Sequence, residues 1–374
     1  MMHYRALRLA SLIVILILIS AAQAQQPTGL PADKREKIEK AITAEMSRQN
    51  IPGLSVAVVV DHKLVWSNGY GLADLENFIP AKATTAYRLG SISKPITAAA
   101  VMQLVERGKI DLDAPIQRYC PAFPEKQWPV TARQLLGHTS GVRHYKDETE
   151  FASTRHYASI VEGLEMFKND PLLFEPGTKY SYTTHGYSIL GCAVEGASGM
   201  KFDEYVRENV FKPARMDRIR VDNVFDIIPN RAQGYQKAQS GELRNSGLAD
   251  TSYKIPGGGF ISTVEDLAKF AIAMQTGALV KKDTLDKMWT SQTLKDGKPT
   301  SYGLGWGITN RNGLKEVSHG GAQQRVSTQL YMIPEKGLAV VLMTNLEGIG
   351  GALNNLSRQI ADILLQVDTS PAKN

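Results

Sequence analysis

The sequence predicts an α+β protein: one antiparallel sheet assembled from both ends of the chain, flanked by terminal helices, with a mainly helical region between. Three observations lead there. Strand-like apolar runs cluster at residues 53–70 and again at 303–344. Helical periodicity governs 33–49 and 351–366, just outside those runs. From about 109 to 290 the pattern is helical, interrupted by Pro and Gly turns. Terminal strands then have to pair with each other to bury their apolar faces, and the middle packs on the flank of the sheet. The α/β region covers about 33–90 and 300–366, and the helical region about 91–299, within one catalytic domain spanning 25–374. A cleft between the two regions is the expected ligand site.

Taken in order, residues 33–49 place Ile38, Ala41, Ile42 and Met46 on one helical stripe. The run 53–60 and its successor 64–70 flank Asp61-His62-Lys63 and read as a hairpin. A helix follows over 93–107, stopped by Gly108. Further helices are expected at 131–137, 159–168, 187–196, 202–210 and 263–275. Strands return at 303–309, 314–318, 327–333 and 338–344, and the helix at 351–366 leads into a polar tail.

The first 24 residues differ from the rest. Arg5 and Arg8 precede the apolar run 9–19, and Ala22-Gln23-Ala24 offers a cleavage site after Ala24. This is the pattern of a secretory signal peptide, and the run is short for an uncleaved anchor. The expected location is therefore the periplasm or the exterior. Cleavage removes two arginines and no acid, so the formal charge falls from +6 to +4. The remaining Lys and Arg are dispersed among Asp and Glu, which argues against nucleic acid as a partner. Mild basicity favours association with anionic cell-envelope polymers. No His-x-His or His-Glu-x-x-His occurs among the 7 histidines, and Gly257-Gly258-Gly259 lacks the Gly-Lys-Ser/Thr of a phosphate loop. The expectation is no metal and no cofactor, with a small molecule or peptide as substrate. Cys192, in a helical stretch, reads most simply as a small buried apolar residue. A disulfide with Cys120 needs a proximity that spacing alone does not supply.

Ser91-Ile92-Ser93-Lys94 places a hydroxyl and an amine three residues apart at the start of an apolar helix, on one helical face. Lys94 in reach of Ser91 makes a serine nucleophile without a catalytic histidine. The same spacing recurs at Ser198/Lys201 in a Gly-rich turn and at Ser370/Lys373 in the tail, so context decides. Ser91 follows Gly90, and Pro95 falls in the first turn, where a missing N–H costs least. A plain N-cap is the competing role for Ser91, with Ser93 a second cap candidate. Tyr182, in Ser181-Tyr182-Thr183-Thr184, stands just before a helix and can project a phenol into a cleft. Near an ammonium, such a phenol ionises more easily and shuttles protons. His319-Gly320-Gly321 ends a strand, where glycines let a substrate lie along the strand edge and the Ala322 N–H can complete an oxyanion hole. An ordinary hairpin turn is the alternative there. His138 and His144 are expected to be hydrogen-bonded structural residues of their loop. No Gly-x-Ser-x-Gly elbow is present, which excludes a standard α/β-hydrolase.

In this order the three motifs resemble the serine β-lactamase and penicillin-binding-protein family, whose signatures are Ser-x-x-Lys, Tyr-x-Asn and Lys-Thr-Gly or His-x-Gly. The resemblance covers about 33–366 and includes class C-type and family VIII esterase-like members. Leu135-Leu136-Gly137-His138-Thr139-Ser140-Gly141, Phe167-Lys168-Asn169-Asp170-Pro171-Leu172 and Tyr253-Lys254-Ile255-Pro256-Gly257-Gly258-Gly259 look like its LACTB-like serine hydrolase branch. The resemblance implies a β-lactamase/DD-peptidase-like fold. It implies Ser91 as nucleophile, Lys94 as its proton acceptor and Tyr182 as proton shuttle toward the leaving group. The N–H groups of Ser91 and Ala322 would form the oxyanion hole, with His319 facing Tyr182. Two positions depart from the pattern. Thr184 stands where Asn is usual, so one hydroxyl replaces an amide. His319 replaces a permanent cation with a group that titrates near pH 6.5. The resulting expectation is an exported serine hydrolase acting on a peptide, amide or ester. A true β-lactamase or D-Ala-D-Ala carboxypeptidase is the alternative within that class, and a penicillin-binding-like scaffold the alternative outside it.

Overall fold

Alternation along Gly53–Val60 (β1) decides where both layers of the molecule lie. Leu54, Val56 and Val58 point to one core, while Ala57 and Val59 point to the other. Both faces are buried, so the strand reads as a continuous apolar run. The computed structural model describes residues 29–366. The N-terminal segment with its expected cleavage after Ala24, and the tail with Ser370/Lys373, lie outside the described residues.

β1 is followed by Lys63–Asp74 (β2) and Ile79–Pro80 (β3), and Tyr87–Arg88 forms β4. The central region contributes only short strands: Arg220–Val221 (β5), Tyr235–Lys237 (β6), Leu243–Asn245 (β7) and Phe260–Ser262 (β8). Gly307–Arg311 (β9), Leu314–Gln323 (β10), Val326–Ile333 (β11) and Leu338–Thr344 (β12) complete the set. The main sheet has the order β3-β2-β1-β12-β11-β10-β9, antiparallel throughout. The two chain ends meet at its centre, with Val58 opposite Val340. This is the pairing of terminal segments that the sequence demands.

The helices Ala32–Gln49 (α1) and, at the end of the chain, Gly350–Leu365 cover one face. Ile38 and Ile42 pack there with Leu353, Leu356 and Ile360 over Val340, Leu342 and Tyr331. The other face carries the helical region: Ser93–Glu106 (α2), Ala132–Leu136 (α3), Glu148–Phe151 (α4), Ile160–Leu164 (α5), His185–Ser198 (α6), Phe202–Val206 (α7), Ile255–Gly258 (α8), Val264–Gln275 (α9) and Lys282–Met288 (α10). The C-terminal helix is then α11. α2 is buried on all sides from Ser93 to Leu104, as befits an axis around which the other helices pack. Caps define several boundaries. Thr131 and Gln134 form a reciprocal capping box, and Thr263 accepts from the Asp266 N–H.

Four expectations change. The strand expected at 303–309 begins only at Gly307, because Gly305 turns the chain at φ 89°, where a Cβ would stand 2.4 Å from Ala98 Cβ. The strand expected at 314–318 continues to Gln323, since the β11 ladder carries it through both glycines. The helix expected at 202–210 becomes a π-helical turn over Arg207–Phe211. Cys192 is not a free apolar filler: its sulfur is bonded to Cys120. The helix α6 and the Ile116–Cys120 turn bring together two cysteines that are 72 residues apart.

Candidate active site

The Ser91 turn is held between the two regions. Gly90, at φ 53°, starts a 3-10 turn over Gly90–Ile92 that runs directly into α2. Leu89 N–H bonds Phe260 O of β8 at 2.8 Å. No side-chain cap bond is found at either start, so the Ser91 hydroxyl is not spent on capping. The Ser93 hydroxyl accepts from Phe260 N–H instead. Lys94 is fully buried, and its Nζ has three oxygen neighbours: Gly257 O at 2.8 Å, Thr184 Oγ1 at 3.0 Å and Ser91 Oγ at 3.0 Å. Burial, reinforced by the charge of Lys254, holds this amine well below the usual lysine range. A neutral amine has two N–H groups and one lone pair. Gly257 O can only accept and takes one N–H. The second N–H and the lone pair are shared between the Thr184 and Ser91 hydroxyls, and with Thr184 Oγ1 accepting, the lone pair meets Ser91 Oγ–H.

Tyr182 is fixed through its backbone neighbours. His138 Nδ1 accepts from Thr183 N–H at 3.1 Å, and His144 Nδ1 accepts from Thr184 N–H at 3.2 Å. Thr183 Oγ1 donates to Arg143 O. Both histidines thus serve as acceptors that pin the 181–184 segment against the 138–144 loop. The Tyr182 ring packs on His138 with centroids 4.2 Å apart, and Lys94 Nζ lies 4.8 Å from the Tyr182 centroid. The expected ease of ionisation is reversed: burial pushes the phenol well above its ordinary value, outweighing the hydrogen bond from Ser91. Tyr182 is therefore a neutral phenol, a proton donor that requires a base to restore it.

His319–Ala322 run along β10, paired with β11 as His319↔Leu330, Gly321↔Thr328 and Ala322↔Ser327. The hairpin turn comes later, at Gln324-Arg325, so the turn reading of His319-Gly320-Gly321 does not hold. The ladder with β9 stops at Ser318, which leaves the outer edge of β10 unpaired beyond that residue. Glycine is required at 321, where a Cβ would stand 2.1 Å from Leu89 O. A Cβ on Gly90 would likewise stand 2.9 Å from Ala322 N. These two close approaches set the Ser91 turn directly against the Ala322 N–H.

His319 is not a pH-sensitive substitute for a lysine. Its Nδ1–H donates to Gly320 O at 2.7 Å, and its Nε2 accepts from Tyr302 O–H at 2.8 Å. Burial pushes it down to about 3. The ring is neutral across the range from pH 5 to 8. Wild type and His319→Gln are expected to share the same acid limb in a pH–rate profile. A limb near pH 6.5 present only in the wild type would contradict this.

Ser91, Tyr182, Thr184, His319, Gly320, Gly321 and Ala322 line one cavity of about 670 Å3, with Lys94 beneath it. Tyr145, whose place in the cleft the sequence leaves open, forms part of the wall. Residues not singled out from sequence also contribute: Phe151 lines the same wall, and Tyr302 orients His319. Lys254 lies buried behind the wall, its Nζ 4.6 Å from the Phe151 ring centroid, 5.0 Å from Tyr253 and 5.1 Å from Tyr145. Burial, together with the Arg88 charge, lowers it to about 7. The one signal for Lys254 was its place in the Tyr253–Gly259 string. Tyr302 carries no local signal. A second hollow of about 690 Å3, lined by His156, Phe202 and Asp222 among others, includes none of Ser91, Lys94, Tyr182, Thr184 or His319.

Comparison with known proteins gives a consistent result. The Beta-lactamase family model matches residues 38–365. The human serine beta-lactamase-like protein LACTB, mitochondrial, is 31% identical over 417 aligned positions, covering 83% of this chain and 76% of that protein. The octameric penicillin-binding protein homologue from Pyrococcus abyssi superposes with a TM-score of 0.77 at 27% identity, over 89% of this chain and 77% of that one. The D-amino acid amidase from Ochrobactrum anthropi shares the fold, with a TM-score of 0.78 at 23% identity over 90% of this chain and 99% of its own.

Proposed function

Since the chain belongs to the Beta-lactamase family and is a serine hydrolase of the β-lactamase, penicillin-binding, amidase and esterase type, we propose that it forms an acyl-enzyme at Ser91. The bond attacked is that of an ester, amide or peptide. The observation that carries this reading is the placement of Lys94: a fully buried amine 3.0 Å from Ser91 Oγ, with Gly257 O and Thr184 Oγ1 as its other partners.

The steps follow from that geometry. Lys94 takes the Ser91 hydroxyl proton as Oγ attacks the substrate carbonyl. Charge developing on the carbonyl oxygen is met by the N–H groups of Ser91 and Ala322, at the start of a buried helix. As the tetrahedral intermediate collapses, Tyr182 gives its proton to the leaving group and regains one from the Lys94 ammonium. Water then cleaves the ester at Ser91, releasing the acid and restoring the serine hydroxyl.

Two features turn the reading away from β-lactams and D-Ala-D-Ala termini. Thr184, whose hydroxyl already accepts from Lys94 Nζ, offers substrate no amide with a paired carbonyl and NH2. His319 is neutral and supplies no cation for a carboxylate. Export, the second part of the proposal, is supported by the Cys120–Cys192 bond, which persists in oxidising compartments. There the net positive charge would favour contact with anionic envelope polymers.

The test is a labelling and turnover panel with Ser91→Ala as control. A fluorophosphonate is expected to label the wild type and not the variant. p-Nitrophenyl esters and amino-acid amides should turn over faster than nitrocefin. Labelling that survives Ser91→Ala would overturn the nucleophile assignment.

A further inference from the structure

Lys254 is a buried amine that takes no part in the acyl-enzyme steps. It is 1% exposed, at the end of the Ser252–Lys254 turn and directly before α8. Its stem runs beside the glycines that hold Lys94: a Cβ on Gly258 would stand 3.7 Å from Lys254 Cδ. An ammonium carries three N–H groups. Among the described residues, Nζ has one hydrogen-bond acceptor, Phe151 O at 3.4 Å, and no carboxylate in ion-pair range. The faces of Phe151, Tyr253 and Tyr145 surround the rest of it, all within 5.1 Å. Three ring faces around one nitrogen make a cation cage, filled here by the protein's own side chain.

Two of those rings belong to the cavity. Tyr145 and Phe151 line it, with centroids 5.0 Å apart. Phe151 closes α4, which the Arg143–Glu150 ion pair ties down at 2.7 Å. At the Phe151 end the tie is to the Tyr253-Lys254 pair, since Phe151 O accepts from Tyr253 O–H at 3.0 Å and from Lys254. The leaving group departs toward Tyr182 and His319, where a side hollow of about 240 Å3 opens. Tyr145, Phe151 and Gly258 line the main cavity and not that hollow, so they flank the acyl side.

We propose that Lys254 is a positioning residue that sets acyl-chain specificity: its ammonium draws Tyr145 and Phe151 into one apolar wall, and the wall loosens when that charge is lost. This rests on the acyl-enzyme reading above. Ring faces attract an ammonium far more than a neutral amine. The charged and titratable groups around Lys254 are Tyr253 beside it, Tyr145 and His144 of the preceding loop, Glu148 and Glu150 of α4, Arg88 of β4, Lys94 of α2 and His185 of α6. Burial pushes both phenols up and pushes Lys94 and both histidines down. Among these amines, imidazoles and phenols, Lys254, at about 7, is the one whose charge turns over near neutrality.

The experiment follows the ratio of kcat/KM for p-nitrophenyl hexanoate over p-nitrophenyl acetate from pH 5.5 to 8.5. The leaving group is shared, so ionisations of the nucleophile and its base act on both esters and cancel in the ratio. In the wild type the ratio should be highest at acid pH and fall about fivefold through a single inflection near pH 7, the effect of one cation–π contact. Lys254→Arg keeps its charge at every pH and should hold the acid-side ratio throughout. Lys254→Met fills the space without charge and should hold the alkaline-side ratio throughout. If neither folds, Phe151→Leu, which removes the nearest ring, should take away most of the slope. A flat ratio in the wild type, or a full slope in any folded variant, overturns the proposal and leaves the acyl-enzyme reading intact. Failure of the wild type both to hydrolyse either ester and to be labelled at Ser91 overturns the acyl-enzyme reading and this proposal with it.

Discussion

Replacing Lys94 with methionine is expected to lower kcat/KM for any ester substrate by roughly 10²- to 10⁴-fold, the range for a lost proton acceptor at the proposed nucleophile. Methionine fills much of the same buried volume but has no lone pair to take the Ser91 proton and no N–H for Gly257 O or Thr184 Oγ1. The double variant Ser91→Ala/Lys94→Met should be no worse than Ser91→Ala alone, because the two side chains act as a unit. The same substitution has a stability signature of known sign. An unfolded lysine titrates near 10.4. In the fold, Lys94 lies well below that, so folding near neutral pH releases its proton. The unfolded state then binds more protons, and this group makes stability rise with pH up to about 10.4. Lys94→Met removes that contribution. Relative to wild type, the variant should gain stability as pH falls from about 10 toward neutrality. Denaturation midpoints at several pH values would measure it, and parallel profiles for the two proteins would show that Lys94 keeps its proton in the fold.

His138, His144 and His319 are all pushed down, and Tyr182 and Tyr302 are pushed up, in each case chiefly by burial. All are neutral near pH 7. Lys254, at about 7, is the group around the cavity that changes charge there. It sits among three rings, with Phe151 O as its hydrogen-bond acceptor at 3.4 Å. Below pH 7 its ammonium opposes a proton on Lys94, which helps keep the base free.

What could be read from sequence follows physical range. The strand periodicity of 53–60 and 338–344 and the helical stripes of 33–49 and 351–366 are local signals, and they imply the layered sheet because terminal strands have nothing else to pair with. Ser91, Lys94 and their helix start lie within one turn and were legible for the same reason. Tyr302 and Lys254 were not. Each acquires its meaning from a partner elsewhere along the chain, as Tyr302 does from His319 and Lys254 from Phe151 and Tyr145. Protonation states are not local, because titration follows burial. By residue type His319 is a pH 6.5 group and Tyr182 beside an ammonium a readily ionised phenol, whereas burial moves both the other way. Small strands such as β4 and β8 escaped because two or three residues carry no period. The Cys120–Cys192 bond depends on a turn and a helix that only the tertiary fold brings together.

Glu316→Leu is expected to destabilise the protein by about 3–5 kcal/mol, the cost of breaking a buried ionic cluster from one side. Glu316 is 1% exposed and lies three residues before His319 on β10. One carboxylate oxygen accepts from Arg311 Nε and Tyr331 O–H, both at 2.6 Å. The other accepts from Thr309 Oγ1 at 2.8 Å and from Arg358 NH2 at 2.7 Å. Arg311 passes the connection on to Asp362. Glu316 thereby ties β9, β11 and α11 to the strand that carries the proposed oxyanion N–H of Ala322. Burial alone would raise its pKa, but the hydrogen bonds from Tyr331, Arg311, Arg358 and Thr309 hold it at about 2. The folded value lies below the unfolded one, so the contribution is full above about pH 4.5 and is lost as pH falls through about 2. The stability gap between wild type and variant should therefore be flat from pH 5 to 8 and shrink between about 4.5 and 2. A register that drifts at β9–β10 would also loosen Gly321 from Leu89 O, so kcat/KM should drop even where the variant is still folded. A gap that stays constant down to pH 2, or a folded variant with full activity, would mean that the cluster neither carries this charge nor positions the strand.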